Sequence, residues 1–331
     1  MKKFKTVLSL FDGISGTQVA LKRNGITYDN YYASEIDKYP ITITQKNYPN
    51  TIQLGSVTDW REWDIDWSSV DLVCGGFPCQ SWSVAGLGLG DKDVRGMLFW
   101  TMLDVMKLVL EKNPNAKFLM ENVRMKKEFE DYITFHTEEA LGKVNKHLIN
   151  SALVSAQNRK RFYWTNIDGI EQPEDQGLIL ADILMDGHVD RDKSHCLDAN
   201  YFKGGNPKSY FGKSRRQLVF DRPCELKDFD PKAECHHVAT ATDINGHDSL
   251  KRVYADTGKS PTINTMGGGN REPKVLVSNL IPTYRKLRPC EIEALQTFPI
   301  GYTEGVSNTQ RYRSLGNSFT VDVVAHIFKY L

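Results

Sequence analysis

Three polar clusters in the first half of the chain carry side chains suited to nucleophilic attack on a ring and to holding that ring by hydrogen bonds. Cys79 follows Gly-Gly-Phe-Pro, and Glu121 follows the apolar run Lys-Phe-Leu-Met. Arg159 and Arg161 come directly before the apolar run Phe-Tyr-Trp. A thiol can act as a nucleophile, a carboxyl group can donate a proton, and a guanidinium can donate hydrogen bonds to a ring oxygen. We therefore treat these four residues as catalytic candidates.

Each candidate also has a purely structural interpretation. A free cysteine is usually a small buried hydrophobic residue, a carboxylate can cap a helix, and arginines are often surface charges. Cys79 is favoured as a nucleophile because it follows a proline at a strand end and precedes a glycine-rich segment at 86–90, which could form a mobile lid. Arg159 and Arg161 are two residues apart on a strand and point to the same face, so both could address one oxygen-rich partner.

A second predicted site follows the first two strands. The segment Phe-Asp-Gly-Ile-Ser-Gly at 11–16 supplies glycines for a tight turn and for close approach of the backbone to a ligand. Its Gly-x-x-Gly spacing is not the full dinucleotide fingerprint. Glu35 ends the second strand, where a carboxylate can accept from ribose hydroxyls or simply be solvated. Together the turn and Glu35 predict a cofactor that carries adenosine.

The pattern of apolar runs predicts an α/β fold, with a Rossmann-like, mostly parallel sheet and helices on both faces. Short apolar strands alternate with amphipathic stretches in the first half of the chain, as in βαβ units. We predict strands at 5–11, 31–34, 71–74, 117–120 and 147–154, with 162–165 paired to the last, and helices at 17–23, 97–112, 289–298, 308–315 and 319–331. Ligands of such sheets bind outside the carboxyl ends of the strands, where the polar clusters fall.

The composition and the periodicity of the sequence change at about residue 168. From there to 284 Gly, Asp, Asn, Lys and Pro are frequent and helical periodicity is weak, which indicates a smaller domain of loops and short strands. The helical pattern then returns, so we expect the C-terminus to pack back on the first domain. We assign 1–167 and 285–331 to one domain and 168–284 to a second.

The composition is ordinary for a soluble globular protein, with 40% hydrophobic and 25% charged residues among 331. No apolar run reaches the roughly 18 residues of a membrane span, and no secretion signal is visible, so we expect a cytoplasmic location. The six cysteines are sparse and irregularly spaced, which predicts reduced thiols. No Cys or His pairs have zinc-site spacing, so we expect no metal.

The net charge of +1 does not make the whole molecule a basic surface for nucleic acid. One segment is nevertheless locally basic: five cations and no acid lie between Asp198 and Asp221, interleaved with aromatic residues and glycines. Most such segments are solvated loops, and the alternative is phosphate contact. The candidates for that contact are Lys213, Arg215 and Arg216.

Six motifs in order give the chain a resemblance to the DNA cytosine-5 methyltransferases. They are Phe-x-Gly-x-x-Gly at 11–16, Glu-Ile-Asp at 35–37, Gly-Phe-Pro-Cys-Gln at 76–80, Glu-Asn-Val at 121–123, Gln-x-Arg-x-Arg at 157–161 and Gln-x-Tyr-x-x-x-Gly-Asn-Ser at 310–318. The stretch at 168–284 corresponds to the family's variable target-recognition region. The resemblance implies a sequence-specific enzyme on double-stranded DNA, with S-adenosyl-L-methionine as methyl donor and S-adenosyl-L-homocysteine as product.

The resemblance also implies a role for each catalytic candidate. Carbon 5 of cytosine is a poor nucleophile, so Cys79 would add to carbon 6 and make the ring enamine-like. Glu121 would hold and protonate N3, Arg161 would donate to O2, and Arg159 would brace the same pocket. The cytosine would first have to be flipped out of the duplex.

Contacts to cofactor and DNA are implied in the same way. The implied cofactor residues are Phe11, Asp12, Gly13, Ile14, Ser15, Gly16, Glu35, Ile36, Ser56, Val57, Phe77, Pro78, Asn317 and Ser318. The segment from 80 to 98 resembles the family's closing loop. The implied DNA contacts are Gln80, Ser83, Arg95, Lys213, Arg215 and Arg216. Ser56 departs from the family, which commonly has Asp there for the adenine amino group; Asp59 is the alternative acceptor.

Two other functions remain open on the sequence. One branch of the family methylates tRNA, usually with a different tripeptide in place of Glu-Asn-Val and a smaller insert. A catalytically silent DNA-binding homologue is the other, and the presence of Cys79, Glu121 and Arg161 together argues against it. We expect a monomer on DNA, and a cognate restriction endonuclease as a further partner.

Overall fold

The computed structural model describes residues 2–78, 96–225, 237–255, 261–262, 271–276 and 282–331. The chain divides into two compact units. The first comprises Met1–Met185, Arg191–Gly204 and Leu287–Leu331, and the second comprises Asp186–Asp190 and Gly205–Lys286. Residues 168–185 and 191–204, which the sequence suggested were part of the second domain, therefore cluster with the first unit.

The first unit is built on a seven-stranded sheet. Its strands are β1 (Lys3–Leu10), β2 (Thr27–Ser34), β3 (Ile52–Gln53), β4 (Val70–Gly75), β5 (Lys117–Val123), β6 (Asn145–Asn150) and β7 (Lys160–Thr165), in the spatial order β3-β2-β1-β4-β5-β7-β6. The first five strands are parallel, and β7 is antiparallel to both β5 and β6. The predicted Rossmann-like, mostly parallel sheet is confirmed, as is the pairing of 162–165 with the strand that begins near 147.

Central strands of this sheet are apolar on both faces, as parallel strands covered on both sides must be. In β1, Val7, Leu8 and Leu10 have no exposed surface. Helix α3 adds Phe99, Met102 and neighbouring residues to the same core. The core thus holds the strand ends, and the polar residues that follow them, in fixed positions.

Nine helices lie within the described residues. They are α1 (Gly16–Arg23), α2 (Lys38–Asn47), α3 (Met97–Lys112), α4 (Lys127–Leu141), α5 (Pro207–Lys213), α6 (Asp248–Lys251), α7 (Pro289–Leu295), α8 (Asn308–Asn317) and α9 (Val321–Phe328). The C-terminal helix α9 packs on α1, where the Asn24 side-chain amide donates to the Ala325 carbonyl at 2.9 Å and Arg23 pairs with Asp322. The C-terminus therefore returns to the first unit, as predicted.

The second unit is small and contains short elements. Strands β8 (Leu218–Phe220) and β12 (Tyr284–Lys286) pair antiparallel, and β9 (His237–Thr240), β10 (Arg252–Ala255) and β11 (Lys274–Leu276) form a three-stranded sheet. Tyr210 of α5, Leu218 and Phe220 make its buried cluster. Within the described residues, neither unit contains a helix that is both long and apolar enough to cross a bilayer.

Candidate active site

Three residues of the turn after β1 adopt left-handed backbone conformations. Phe11 has φ +53°, Gly13 has φ +58° and Ser15 has φ +56°. Left-handed backbone costs a non-glycine residue free energy, and such strain concentrates at ligand sites. The turn ends at Ser15, the N-cap position of α1, and it is held by hydrogen bonds from Asp12 N–H to the Ser34 carbonyl at 3.0 Å and from Ser15 N–H to the Asp12 carbonyl at 3.1 Å. All three left-handed residues lie within the segment at 11–16 that was predicted as the cofactor turn.

Asp12 is the buried acid of this turn. Its carboxylate accepts from the Tyr31 hydroxyl at 2.8 Å and from the Ser15 hydroxyl, and only 9% of the residue is exposed. Burial raises the pKa of Asp12 to about 6, while hydrogen bonds from Ser15, Ser9 and Tyr31 oppose the rise and the charge of Glu35 adds to it. Asp12 therefore braces the turn from inside.

Glu35 lies opposite the turn, with its carboxylate oriented by backbone donors. It accepts from the N–H of Gly13 at 3.0 Å and from those of Ile36 and Asp37 at 2.8 Å each. These bonds fix the carboxylate at the end of β2; Oε1 accepts two of them and Oε2 one, so acceptor capacity remains on Oε2. Ile36 beside it is 77% exposed, an apolar face for a flat ring. A carboxylate next to exposed apolar surface suits a ribose joined to a base.

The segment at 55–57 runs alongside this site because β3 pairs with β2. The Ser34 hydroxyl donates to the Gly55 carbonyl at 2.9 Å, and Ser56 caps the following 3₁₀ turn by accepting from Thr58 N–H at 3.2 Å. Val57 is buried in the main core. Asp59, the alternative acceptor, is exposed in the first turn of that 3₁₀ helix.

The end of α8 reaches the same turn through an aromatic ring. A Cβ on Gly16 would lie 2.7 Å from the Phe319 ring, so any larger residue there would require the ring to move. Ser318 is the C-terminal cap of α8, and Asn317 is exposed. The predicted cofactor residues 317 and 318 are thereby brought next to the turn at 11–16.

Glu121 and Arg161 form an ion pair at the carboxyl end of β5. Arg161 Nε lies 3.1 Å from Glu121 Oε1, with the side chains 12% and 17% exposed. Since β7 is antiparallel to β5, its amino end lies at this edge of the sheet, and Arg161 pairs in register with Val123. Because β7 runs antiparallel to β5, Arg161, which precedes the apolar run of β7, meets Glu121, which follows the apolar run of β5.

The turn after β4 packs directly against this ion pair. A Cβ on Gly76 would lie 3.0 Å from Glu121 Oε2, and the Asn122 side-chain amide donates to the Phe77 carbonyl at 3.1 Å. Phe77 is buried, with its ring centroid 5.1 Å from that of Phe99. The turn is therefore fixed as far as Pro78. Cys79 follows and lies outside the described residues.

Arg159 occupies a different place from Arg161. It is buried, and its guanidinium donates to the carbonyls of Leu197 at 2.9 Å, Ser318 at 2.6 Å and Gly316 at 3.4 Å. The expectation that both arginines address one substrate is therefore not what the contacts favour. Arg159 lies just before β7 rather than within it, and its donors are used to hold the end of α8.

Cys196 is the residue near this pair that sequence reasoning did not select. Its sulfur lies 3.7 Å from Arg159 Nη1 and 3.9 Å from Arg161 Nη2. No motif marked it, because it belongs to a segment assigned to the variable region. The sequence drew attention to it only through the adjacent pair His195-Cys196, which could suggest metal ligands but lacks a second pair at zinc-site spacing.

The predicted DNA contacts divide into two groups. Gln80, Ser83 and Arg95 lie outside the described residues. Lys213 ends α5, Arg215 is exposed and Arg216 has φ +57°, all within the second unit. The basic stretch is thus partly helical instead of a continuous loop. Among the described residues no group of three or more His, Cys, Asp or Glu is placed to hold a metal ion.

The sheet and its polar edge define an α/β protein of the Rossmann-like class, with its site at the carboxyl ends of parallel strands. The family model for C-5 cytosine-specific DNA methylases matches residues 5–331, so the chain belongs to this family. It is a DNA cytosine-5 methyltransferase.

Individual relatives cover nearly the whole chain. The chain is 28% identical to the orphan methyltransferase M.SPBetaI of Bacillus phage SPbeta, over 98% of this chain and 97% of the relative. It is 27% identical to the type II methyltransferase M.HhaI of Haemophilus parahaemolyticus, over 97% and 92%. A solved structure of Spodoptera frugiperda DNMT2 superposes with TM-score 0.60 at 20% identity, over 98% and 99% of the two chains, which bears on the fold alone.

Proposed function

We propose that this protein transfers a methyl group from S-adenosyl-L-methionine to carbon 5 of a cytosine flipped out of duplex DNA, through a transient bond to Cys79. The observation that carries the proposal is the Glu121–Arg161 pair, packed against the turn that leads into Cys79. Family membership supplies the reaction class. The pair supplies, in one place, a proton donor for N3 and a hydrogen-bond donor for O2, two of the three polar positions on the cytosine edge.

Each residue of the pair has one task on the base. The Glu121 carboxyl group donates its proton to N3, which draws electrons from the ring as the Cys79 thiolate adds to carbon 6. Arg161 donates to the O2 oxygen and remains cationic, so it stabilises negative charge that develops there. After methyl transfer the proton on carbon 5 is removed and the bond from sulfur to carbon 6 breaks.

Residues around the first turn fit the cofactor. Glu35 would accept from the ribose hydroxyls, Ile36 would cover one face of the adenine, and the left-handed turn at 11–16 would approach the amino-acid portion. When bound, S-adenosyl-L-methionine supplies an electrophilic methyl group. Ser56 would be a weaker partner for the adenine amino group than the carboxylate common in the family.

Double-stranded DNA is the proposed substrate because the matching family model describes DNA methylases, and one relative is named a type II methyltransferase. Lys213, Arg215 and Arg216 would contact it from the second unit, with Gln80, Ser83 and Arg95 on the side of the closing loop. We propose a monomer that acts in the cytoplasm. A cognate restriction endonuclease would be its partner in a restriction-modification system.

The test is methyl transfer from labelled S-adenosyl-L-methionine to unmethylated genomic DNA, with total tRNA in a parallel reaction. We expect label in DNA for the wild-type protein and its loss for Cys79→Ser. Glu121→Gln should lower the rate by roughly 100-fold or more, since it removes proton donation while keeping the size of the side chain. Label in tRNA but not in DNA would contradict the proposal.

A further inference from the structure

The segment around Cys196 is built into the first unit by backbone and side-chain hydrogen bonds. Ser194 N–H donates to the Ala156 carbonyl at 2.7 Å, and Asn158 N–H donates to the Ser194 carbonyl at 3.0 Å. Leu197 N–H donates to the buried side-chain oxygen of Gln157 at 2.8 Å. Cys196 therefore lies on a segment that runs alongside the Gln-x-Arg-x-Arg motif and is fixed to it on both sides.

Packing against α8 leaves this segment little freedom to move. A Cβ on Gly316 would lie 2.5 Å from the Asp198 carbonyl group, so α8 and the segment approach as closely as glycine allows. Arg159 bridges the two by donating to Leu197 and Ser318. The position of Cys196 is consequently fixed by its own segment, by the motif at 157–161 and by α8, and not by one loop alone.

The sulfur of Cys196 is in contact with two guanidiniums. It lies 3.7 Å from Arg159 Nη1 and 3.9 Å from Arg161 Nη2, and Arg161 reaches Glu121 through Nε at 3.1 Å. Arg159 Nε is buried and has no hydrogen-bond partner among the described residues. Two positive groups thus face one carboxylate and one thiol.

The charges around the thiol favour its ionised form. Partial removal from water raises the pKa of Cys196, but the Arg159 and Arg161 guanidiniums, by charge and by hydrogen bonding, outweigh this and hold it below its ordinary value. Cys74, in contrast, is a buried residue of strand β4, and burial raises its pKa to about 12. Cys74 and Cys196, both in the first unit, are therefore in opposite electrostatic environments.

We propose that Cys196 is a positioning residue of the cytosine pocket, whose sulfur contacts Nη2 of the Arg161 guanidinium while Glu121 contacts Nε. This inference rests on the proposed function of Arg161. Glu121 contacts the guanidinium at Nε, the Lys160 carbonyl accepts from Nη1 at 2.9 Å and Cys196 contacts Nη2, so each of the three nitrogens has a partner that fixes the orientation of the planar group. The partial negative charge of the sulfur also compensates the second positive charge, that of Arg159, beside the pocket.

The first experiment measures the contact itself, without catalysis. In the Cys79→Ser protein, iodoacetamide alkylates thiols as the thiolate displaces iodide and forms a carbon–sulfur bond, and peptide mass spectrometry follows each cysteine. We expect Arg161→Ala to slow the alkylation of Cys196 at pH 7 by roughly 3- to 10-fold, because a neighbouring positive charge is lost. The rate at Cys290, whose thiol makes no hydrogen bond or ion pair to another described residue, is the internal control.

The second experiment measures positioning in the reaction. Cys196→Ala should lower kcat for methyl transfer by roughly 10-fold or more, because a misdirected Arg161 binds O2 less well in the transition state. The KM for S-adenosyl-L-methionine should not change. Cys196→Ser, which keeps a weaker acceptor at this place, should recover part of kcat, and Cys290→Ala should match the wild type.

The two experiments separate this inference from the function on which it rests. An unchanged alkylation rate at Cys196 in Arg161→Ala would overturn the proposed contact, and a wild-type kcat in Cys196→Ala would overturn its role in positioning. A wild-type protein that transfers no methyl group would overturn the proposed function instead, while the alkylation rates would still decide whether the contact exists.

Discussion

Replacing Asp12 by asparagine should change how the stability of the first unit depends on pH. The Asp12 carboxyl is buried in the turn after β1, and burial raises its pKa from 3.8 to about 6. A raised acid pKa means that the folded state binds the proton more tightly than the unfolded state. The stabilising contribution is complete below the unfolded pKa and is lost as the pH rises through the folded pKa, from about 4 to about 6.

The size of the effect follows from the two pKa values. With a folded pKa of about 6 and an unfolded pKa of 3.8, Asp12 contributes about 1.4 kcal/mol more to the free energy of unfolding at pH 5 than at pH 8. The introduced amide would not titrate, so the variant lacks this term. The difference in unfolding free energy between the wild type and Asp12→Asn should therefore favour the wild type more at pH 5 than at pH 8, by about 1.4 kcal/mol.

Urea unfolding followed by tryptophan fluorescence provides the measurement. All six tryptophans lie between positions 60 and 164, so the signal reports on the first unit. Taking the difference between two proteins cancels the titration of groups that they share. Asp64→Asn is the control, because Asp64 is exposed and makes no hydrogen bond or ion pair to another described residue.

Two results would refute the reasoning about Asp12. A difference that is constant from pH 5 to pH 8 would mean that the carboxyl is not buried as described. A difference that favours the wild type more at pH 8 would mean that hydrogen bonds from Tyr31 and Ser15 to the ionised form outweigh burial.

Two further substitutions test the packing at the site. Gly76→Ala places a Cβ 3.0 Å from Glu121 Oε2, so it should displace the carboxyl and lower the methyl-transfer rate by roughly 100-fold; Gly212→Ala, whose Cβ would meet nothing within 4 Å, is the stability control, and an unimpaired rate in Gly76→Ala would contradict this packing. Arg159→Ala leaves carbonyls of Leu197 and Ser318 without their donor and should lower the free energy of unfolding by about 3 kcal/mol in the fluorescence assay, against a small change for exposed Lys160→Ala; equal stability of the two variants would show that Arg159 is not the clamp.

The sheet could be predicted because its strands are short apolar runs with polar ends. β1, β4 and β5 were found near their predicted positions, since central parallel strands are apolar on both faces. The strand predicted at 147–154 ends early, because the Asn150 side chain accepts from Ala152 N–H and starts a 3₁₀ turn. A single polar residue at 150 is too weak a signal to predict that turn from the sequence.

Helices α2 and α4 were missed for different reasons. The run Ile-Thr-Ile-Thr in α2 is β-branched and resembles a strand, yet the Asp37 side chain caps the helix by accepting from Tyr39 N–H. In α4 only Ile133 and Thr137 are buried, so its apolar stripe is too narrow to recognise. In both helices tertiary contacts and a cap, rather than the apolar period, decide the structure.

The candidate site was predictable where its residues directly follow strands. It was not predictable where it depends on contacts between residues that are distant in the sequence. Glu121 and Arg161 meet because β7 lies antiparallel to β5. The sequence predicted only that 162–165 pairs with the strand before it, and so did not predict this second pairing. Cys196 reaches Arg161 through a bridge between Gln157 and Ser194, 37 positions apart. No local pattern encodes such a contact, and the sequence suggested a domain boundary that separated the two residues.

The most direct test of the account asks whether Cys79 bonds to the cytosine ring. DNA copied with 5-fluorodeoxycytidine triphosphate carries fluorine at every cytosine, so no knowledge of the recognition sequence is needed. After methyl transfer the fluorine cannot leave as a proton does, and the bond between sulfur and carbon 6 persists. With S-adenosyl-L-methionine the wild-type protein should form a DNA complex that survives denaturing electrophoresis, and Cys79→Ser should form none. A complex that persists in Cys79→Ser, or none with an active wild-type protein, would contradict the proposed mechanism.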